Sequence, residues 1–415
     1  MARHARGVAN RRGPAPPGGL ATYRDLAAHR EFRGLWASAA LDTAASTAAS
    51  LALAFLVHEQ TGSALLTALS MFGPSLAQVL GVSTLMSAAD SVPPRRALVT
   101  VSLLVTGLLV VQATLDLPPA ARLVLVFAGA FIMSIGSGVR WGLLGQVVPS
   151  GSYGLARSAM NLADGAFQIV GFAAGGLLVA VLNVQQTFLI SASLAATAVA
   201  VLRLSLVKRP ARRTTRVGLA ATWRGNLTLL RLRELRPLLL ALVLPNGLIV
   251  GCEALFVPYA GSLAGWLYAA SALGMMVGDV IVGRVLSPAA RLRNVTGLRV
   301  LLAVPFLLFF LQPPIALAAG LAAVAAVGYA ATLAQQEQLV TLTPPELHGQ
   351  TLGVESSMRM TMQGVCALLA GALADSIGPS AAIAILAAAS LVISVVLTPQ
   401  LARTARQATA SRQTT

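Results

Sequence analysis

The chain has 415 residues, of which 56% are hydrophobic and only 11% charged, and its formal net charge is +16. A soluble domain of average composition has about a quarter charged residues. Composition therefore excludes an ordinary soluble domain and indicates a membrane protein. The apolar stretches are close to the roughly 20 residues that a helix needs to cross a bilayer, and they lack the alternation of barrel strands.

Twelve apolar stretches predict an all-α membrane protein with twelve transmembrane helices in two pseudo-symmetric six-helix bundles. Polar and basic gaps separate these stretches, and the longest gap follows the sixth. The predicted spans are 35–57, 63–88, 97–115, 121–147, 156–181, 184–206, 237–259, 264–286, 297–312, 314–340, 353–376 and 379–398.

Basic residues fall in alternate gaps between these spans. By the positive-inside rule this places both termini in the cytoplasm, with the arginines against anionic lipid headgroups. The net charge then needs no nucleic-acid partner. Arginine in place of lysine, with abundant Ala, Gly and Pro, is typical of a high-GC bacterial genome, so we expect a bacterial inner-membrane protein.

The basic gaps also divide the chain. We predict a cytoplasmic basic tail (1–33), a first six-helix bundle (34–206), a basic cytoplasmic linker (207–236), a second six-helix bundle (237–398) and a cytoplasmic tail (399–415). The linker segment WRGNLTLLRLREL interleaves apolar residues with arginine, which predicts an amphipathic helix on the membrane surface. The loops MSAADSVPPRRALV and VGRVLSPAARLRNV echo each other, as two repeats would.

Three segments of the chain carry a recognisable pattern: HREFRGLWAS leading into LALAFLVHEQTGSALLTAL, then LGQVVPSGSYGLARSAMNLADGAFQIVGFAAGG, and CEALFVPYA followed by GMMVGDVIVGRVL. They resemble the major facilitator superfamily, and more narrowly its bacterial drug-efflux branch, which includes macrolide and siderophore exporters. The resemblance implies a secondary active transporter that exports a small amphipathic molecule, a drug or a natural product, by proton antiport. Its two halves are expected to rock around a central site in alternating access. The resemblance also implies that span 5 faces span 8 across the two halves.

The loop after span 2 is similar to the gating loop of that superfamily. Asp90, Arg95 and Arg96 match its signature, although Met86 stands where the signature has glycine. Asp90 is expected beside the start of span 11, where an acid would interact with the positive end of that helix. The glycines of span 5 (Gly171, Gly175 and Gly176) and of span 8 (Gly274, Gly278 and Gly283) are interpreted as faces on which helices slide, and ordinary tight helix packing fits them equally.

Four acids lie inside predicted spans, where a charge is costly and usually functional. Glu253 has no base at its depth in any span, so it is the first candidate for proton coupling. Asp42 is the second: a proton site and a helix-bridging pair with Arg140 both fit it. Asp164 and Asp279 lie at the depth of three bases, which favours a cytoplasmic ion-pair gate with Arg157, Arg284 and Arg359.

The cavity is expected to be largely apolar with a few polar points, since methionine and aromatic surfaces accommodate varied apolar ligands. Packing in the core or against lipid is the alternative for each of these residues. The candidate lining residues are Asn161, Gln168, Asn246, Tyr259, Trp266, Met275, Met276, Met358, Met360 and Gln363, with Arg140 added as a charged one.

Other classes of protein fit less well. The four histidines (His4, His29, His58 and His348) are predicted in loops or tails, and there is no phosphate-binding loop, so we expect neither an enzyme nor an ATP-driven pump. We expect no metal and no cofactor. The expected partners are a small-molecule substrate, protons and membrane lipids, and the expected state is a monomer. Metabolite uptake and a non-transporting receptor or scaffold remain as alternatives to export.

Overall fold

A computed structural model describes residues 23–89, 92–148, 152–210, 235–343 and 347–413. These ranges are helical with short connections and contain no strand. The predicted amphipathic helix of the linker, Asp90 and most of the N-terminal tail lie outside the described residues. The fold class predicted from composition is therefore confirmed as all-helical.

In the described ranges seven helices precede the linker, and α1 is a short helix before the first long one. Each long helix covers one predicted span. The bounds are α1 Tyr23–Ala28, α2 Arg30–Thr61, α3 Ala64–Ala89, α4 Pro94–Thr114, α5 Pro119–Val147, α6 Tyr153–Val181 and α7 Val184–Ser205.

Eight described helices follow the linker, and short 3-10 or π turns join some of them. The bounds are α8 Arg236–Ala254, α9 Phe256–Ala260, α10 Ala264–Val280, α11 Pro288–Leu307, α12 Ile315–Val327, α13 Ala331–Thr341, α14 His348–Ile377 and α15 Pro379–Gln413. The largest departures from prediction are the beginning of α11 and the end of α15. Both helices continue into polar sequence beyond the predicted span, because polar residues end an apolar stretch without ending the helix.

Eleven helical segments of the described chain are long and apolar enough to cross a membrane, where twelve were predicted. The difference lies in Arg236–Val285, a helical segment of 50 residues that counts as one but contains two predicted spans. A straight helix of that length would be about 75 Å long. The chain instead breaks at Leu255 and again at Gly261–Leu263. Pro258 explains the first break, because its ring displaces the carbonyl four residues earlier.

Helix packing follows the two halves of the sequence and joins them at two places. In the first half α2 packs on α6 and α7, and α3 packs on α5; in the second half α8 packs on α14 and α15, and α10 packs on α12. Between the halves the main contacts are α3 with α14 and α6 with α10. The second of these is the contact that the resemblance implied for spans 5 and 8.

Most of the glycines singled out in these helices pack inside their own half. A Cβ on Gly171 or Gly175 would meet α2, and one on Gly274 or Gly278 would meet the backbone of α12. These four positions therefore fit ordinary tight helix packing, which was the alternative to a sliding face. Gly176 is the exception, because its Cβ would lie 2.9 Å from the Cα of Gly265 in α10.

Arg122, at the beginning of the predicted span 121–147, is a buried residue in the first turn of α5. Its guanidinium donates to the carbonyl oxygens of Gln112, Leu115 and Leu117 at 2.8, 3.2 and 3.0 Å. It also donates to the Gln112 side chain at 3.1 Å. The arginine satisfies carbonyls that the end of α4 leaves without helical partners, and it holds the α4–α5 turn together.

Candidate functional site

A cavity of about 530 Å³ lies between the helices of the first half and α8 and α10 of the second half. Its walls are mainly apolar, with methionine and phenylalanine side chains from several helices and a few polar groups. The residues that give it this character are Met71, Phe72, Gln78, Gln112, Met133, Gln168, Phe172, Phe188, Glu253, Tyr268, Ser271 and Met275.

Glu253 is the one charged residue among the described residues that line this cavity. It lies in the last turn of α8, just before the break at Leu255, and is only 8% exposed. The hydroxyls of Ser271 and Tyr329 lie beside the carboxyl. Within the described ranges no base forms an ion pair with Glu253. The carboxyl therefore faces neutral hydroxyl groups and no compensating charge.

The break in the helix also fixes the backbone around Glu253. Tyr268 of α10 donates its hydroxyl proton to the Glu253 carbonyl at 2.8 Å. Its ring stacks on Phe172 of α6, with 4.8 Å between ring centroids. Through these two contacts the acid is held against the α6–α10 contact between the two halves of the sequence.

A second, smaller cavity of about 260 Å³ lies within the first half and contains two acids and one base. Arg140 Nη2 is 2.6 Å from Asp42 Oδ2 in an ion pair with exposed fractions of 17% and 12%. Asp164 accepts a hydrogen bond of 3.2 Å from the Thr43 hydroxyl. Thr43, together with Gln78 and Met133, also lines the larger cavity, so the two spaces share a wall.

The predicted lining residues are distributed unevenly. Gln168 and Met275 line the larger cavity, and Arg140 lines the smaller one. The remaining predicted lining residues belong to neither cavity: Asn161, Asn246, Tyr259, Trp266, Met276, Met358, Met360 and Gln363.

The contacts of several of these side chains explain why they do not line either cavity. Gln363 donates to Asn246 at 2.7 Å, and Tyr259 donates to the Pro313 carbonyl at 2.9 Å. Met358 packs against the apolar cluster around the beginning of α8. Asn161 is exposed on α6. The helical register that decides these positions could not be read from the apolar pattern.

The described residues of the predicted gate do not form an ion-pair lock with one another. Arg95 donates to the Arg203 carbonyl at the end of α7 at 2.6 Å, while Arg96 is exposed. Arg157 lies over the Trp141 ring at 5.5 Å from its centroid. Asp90, the acid expected at the centre of this gate, lies outside the described residues.

The other two gate arginines also have partners outside the predicted acids. Arg359 pairs with the buried Glu355 at 2.8 Å, and Arg284 donates to the Tyr23 hydroxyl at 3.1 Å. Within the described ranges no base forms an ion pair with Asp164 or Asp279. Equal depth in the membrane is not sufficient for an ion pair, because the two side chains must also point towards each other from their helices.

Three further charged features were missed. Asp375 at the end of α14 contacts the beginning of α3. Glu31 forms a bidentate ion pair with Arg209 and raises the pKa of that guanidinium by accepting its hydrogen bonds. Arg299 is 2% exposed in α11, and its nitrogens have no hydrogen-bond partner in the described part of the chain. Apolar runs and loop charges carry no signal for any of these contacts.

Metal-ligand side chains are scattered. In the described ranges no three His, Cys, Asp or Glu residues come together as a metal site would require. His58, predicted in a loop, lies in the last turn of α2, with Nδ1 3.2 Å from the Thr67 hydroxyl.

Solved transporter structures share this architecture. A POT family transporter in complex with 5-aminolevulinic acid aligns with a TM-score of 0.73 at 12% identity, covering 90% of this chain and 96% of that one. The nucleoside transporter NupG (D323A mutant) gives 0.70 at 12% identity, covering 89% and 99%. An auto inhibited POT family peptide transporter gives 0.70 at 14%, covering 90% and 97%.

The fold is that of a membrane transporter. No protein-family profile matches the chain, and no curated protein sequence matches it. These structural neighbours are transporters and not enzymes. At 12–14% identity they show the fold alone, so branch, substrate and direction of transport are matters of proposal.

Proposed function

We propose that the chain is a secondary active transporter of the major facilitator type, from the drug-efflux branch, which exports a small amphipathic molecule in exchange for protons. The observation that carries this proposal is a largely apolar cavity in which Glu253 is the single charged residue among the described lining residues. No base in the described part of the chain forms an ion pair with it. The protein would act as a monomer in a bacterial inner membrane with both termini in the cytoplasm, as the arginine distribution predicts.

Alternating access would come from two six-helix bundles. Counting Arg236–Val285 as two crossings, separated by the breaks at Leu255 and Gly261–Leu263, gives twelve spans. The concentration of cross-half contacts in α3–α14 and α6–α10 supports rocking about the cavity between the halves. Rigid bundles joined along few helices can tilt without repacking their own cores.

The cavity supports a drug-sized amphipathic substrate. Its volume of about 530 Å³ lies within the range of small-molecule sites, which are mostly apolar with a few placed polar groups. Methionine side chains such as Met71 and Met275 adapt to varied apolar shapes. Gln78, Gln112 and Gln168 provide neutral hydrogen-bonding groups for the polar end of such a molecule.

Proton coupling would use Glu253, with Asp42 as a second carrier. A carboxylate in an apolar setting without a base is costly as a charge, so an arriving proton removes that cost. Asp42 differs because Arg140 already neutralises it at 2.6 Å. It could bind a proton only if Arg140 turned away, for example towards Asp164 across the same small cavity.

The alternative is uptake of a small metabolite. The ligand of the first neighbour, 5-aminolevulinic acid, and the nucleoside specificity of another make small polar solutes reasonable test compounds. A receptor or scaffold would not need a solute cavity that opens alternately to the two sides of the membrane. A flux measurement separates these three possibilities.

A cavity-filling substitution tests whether this space is the substrate site. Ala130 of α5 lines the cavity, so Ala130→Phe should lower the affinity for a transported compound at least tenfold, because the ring occupies part of the binding volume. Binding is measured by isothermal titration of purified protein with compounds that pass a transport screen.

The matched control is Ala196→Phe, a substitution of the same size at an exposed position of α7. Its affinity should equal that of the parent protein. Equal affinity in Ala130→Phe and the parent would place the substrate elsewhere.

A further inference from the structure

Asp375, near the end of α14, forms three hydrogen bonds with the beginning of α3. Its Oδ1 accepts from the Ala64 backbone N–H at 2.6 Å, and its Oδ2 accepts from the Ser63 hydroxyl at 2.9 Å. Oδ2 also accepts from the Leu65 N–H at 3.3 Å. The partners are more than 300 residues apart and belong to opposite halves of the chain.

These bonds supply what the beginning of a helix lacks. The first backbone N–H groups of α3 have no acceptor within their own helix. Ser63 accepts from Leu66 N–H at 3.2 Å, as an ordinary N-cap does. Asp375 accepts from the two preceding N–H groups, so the cap of α3 is completed by the other half. A carboxylate is also favoured there by the helix dipole.

The backbones meet closely at this place. Gly371, one turn before Asp375, packs so tightly that a Cβ would lie 2.5 Å from Leu65 Cα and 2.8 Å from the Ala64 carbonyl. Gly176 and Gly265 touch in the same manner at the end of α6 and the beginning of α10. All four helix ends lie on one side of the membrane, which is the outer side in the proposed orientation.

We propose that Asp375 is a capping latch that holds the outer side of the transporter closed and is released when that side opens. The proposal rests on the alternating access proposed above. Opening the outer side separates the ends of α3 and α14, and this requires the Asp375 bonds to break.

The test measures access to the cavity from the outer side. Ser50 lines the cavity, so Ser50→Cys serves as the reporter, in a background where the buried Cys252 and Cys366 are replaced by alanine. Oriented vesicles are treated with a membrane-impermeant maleimide, and the labelling rate is measured from each side. Asp375→Ala should raise the outer rate about tenfold, as loss of an N-cap can, and lower the inner rate.

Two further variants separate the latch from general damage. Asp375→Asn should raise the outer rate less than Asp375→Ala, because the amide oxygen still accepts one bond. Gly371→Ala should raise it while Asp375 is intact, because the added Cβ forces the two helix ends apart.

Glu59→Gln, at an exposed acid on the same side, and Ser376→Ala, at an exposed neighbour of Asp375, should change neither rate. Unchanged outer labelling in Asp375→Ala would overturn the latch, and so would an equal rise from both sides. Labelling requires no substrate, so the labelling rates can be interpreted even if the proposed transport function is wrong.

Discussion

Glu253→Gln is expected to abolish proton-driven transport while substrate exchange continues. The amide has the shape of a protonated carboxyl but cannot release a proton, so the step that requires proton release stops. We expect net flux driven by a pH gradient to fall about 100-fold or more, as when a proton-transferring group is removed. Exchange of labelled for unlabelled substrate involves no net proton movement and should stay within about twofold of the parent.

Both fluxes are measured on the same vesicles, so misfolding is distinguished from loss of coupling. A misfolded variant loses exchange as well as net flux. The matched control, Glu59→Gln, removes an equivalent charge at an exposed end of α2 and should leave both fluxes unchanged. Undiminished net flux in Glu253→Gln would show that another group carries the proton.

Breaking the Asp42–Arg140 pair is expected to cause the largest loss of stability. Arg140→Gln leaves Asp42 and Asp164 in one small cavity without a base, and loss of a partner from a buried pair typically costs about 3–5 kcal/mol. Asp42→Asn should cost less, because Arg140 can still turn towards Asp164.

The double variant Asp42→Asn/Arg140→Gln should recover part of the loss, since it removes the unpaired charge along with its partner. Unfolding of the purified protein by heat or denaturant measures all three variants, with Arg33→Gln at an exposed position as the control. Additive losses in the double variant would show that the two side chains do not stabilise each other.

Features that depend on a single helix were predictable from the sequence. Long apolar runs gave the helices, and depth within a span identified Glu253 as an acid without a base. Depth also indicated Arg140 as a partner for Asp42, as one of two alternatives; the other was a proton site. Helical rotation was not predictable, because an apolar helix in lipid has no polar face to set its register. For that reason Asn246 and Gln363 were expected in the cavity, although they bond to each other.

The sequence contained no signal for contacts between distant segments. The bonds between Asp375 and the beginning of α3 join segments more than 300 residues apart, and neither segment is unusual by itself. Arg122 illustrates the same limit at short range. Its charge gives no indication of burial, yet four hydrogen bonds to the end of α4 and the turn that follows it let Arg122 lie buried in α5. Composition records the charge and not its partners.

Flux through the purified protein in vesicles, with the pH gradient imposed in each direction, tests the central proposal most directly. Amphipathic amines, macrolides, siderophores and small polar metabolites are screened under both gradients. Proton antiport predicts that a compound accumulates on the acidic side, and that reversing the gradient reverses its movement. Accumulation on the alkaline side would establish symport and contradict export by exchange, and no flux of any compound under either gradient would contradict a proton-coupled transporter.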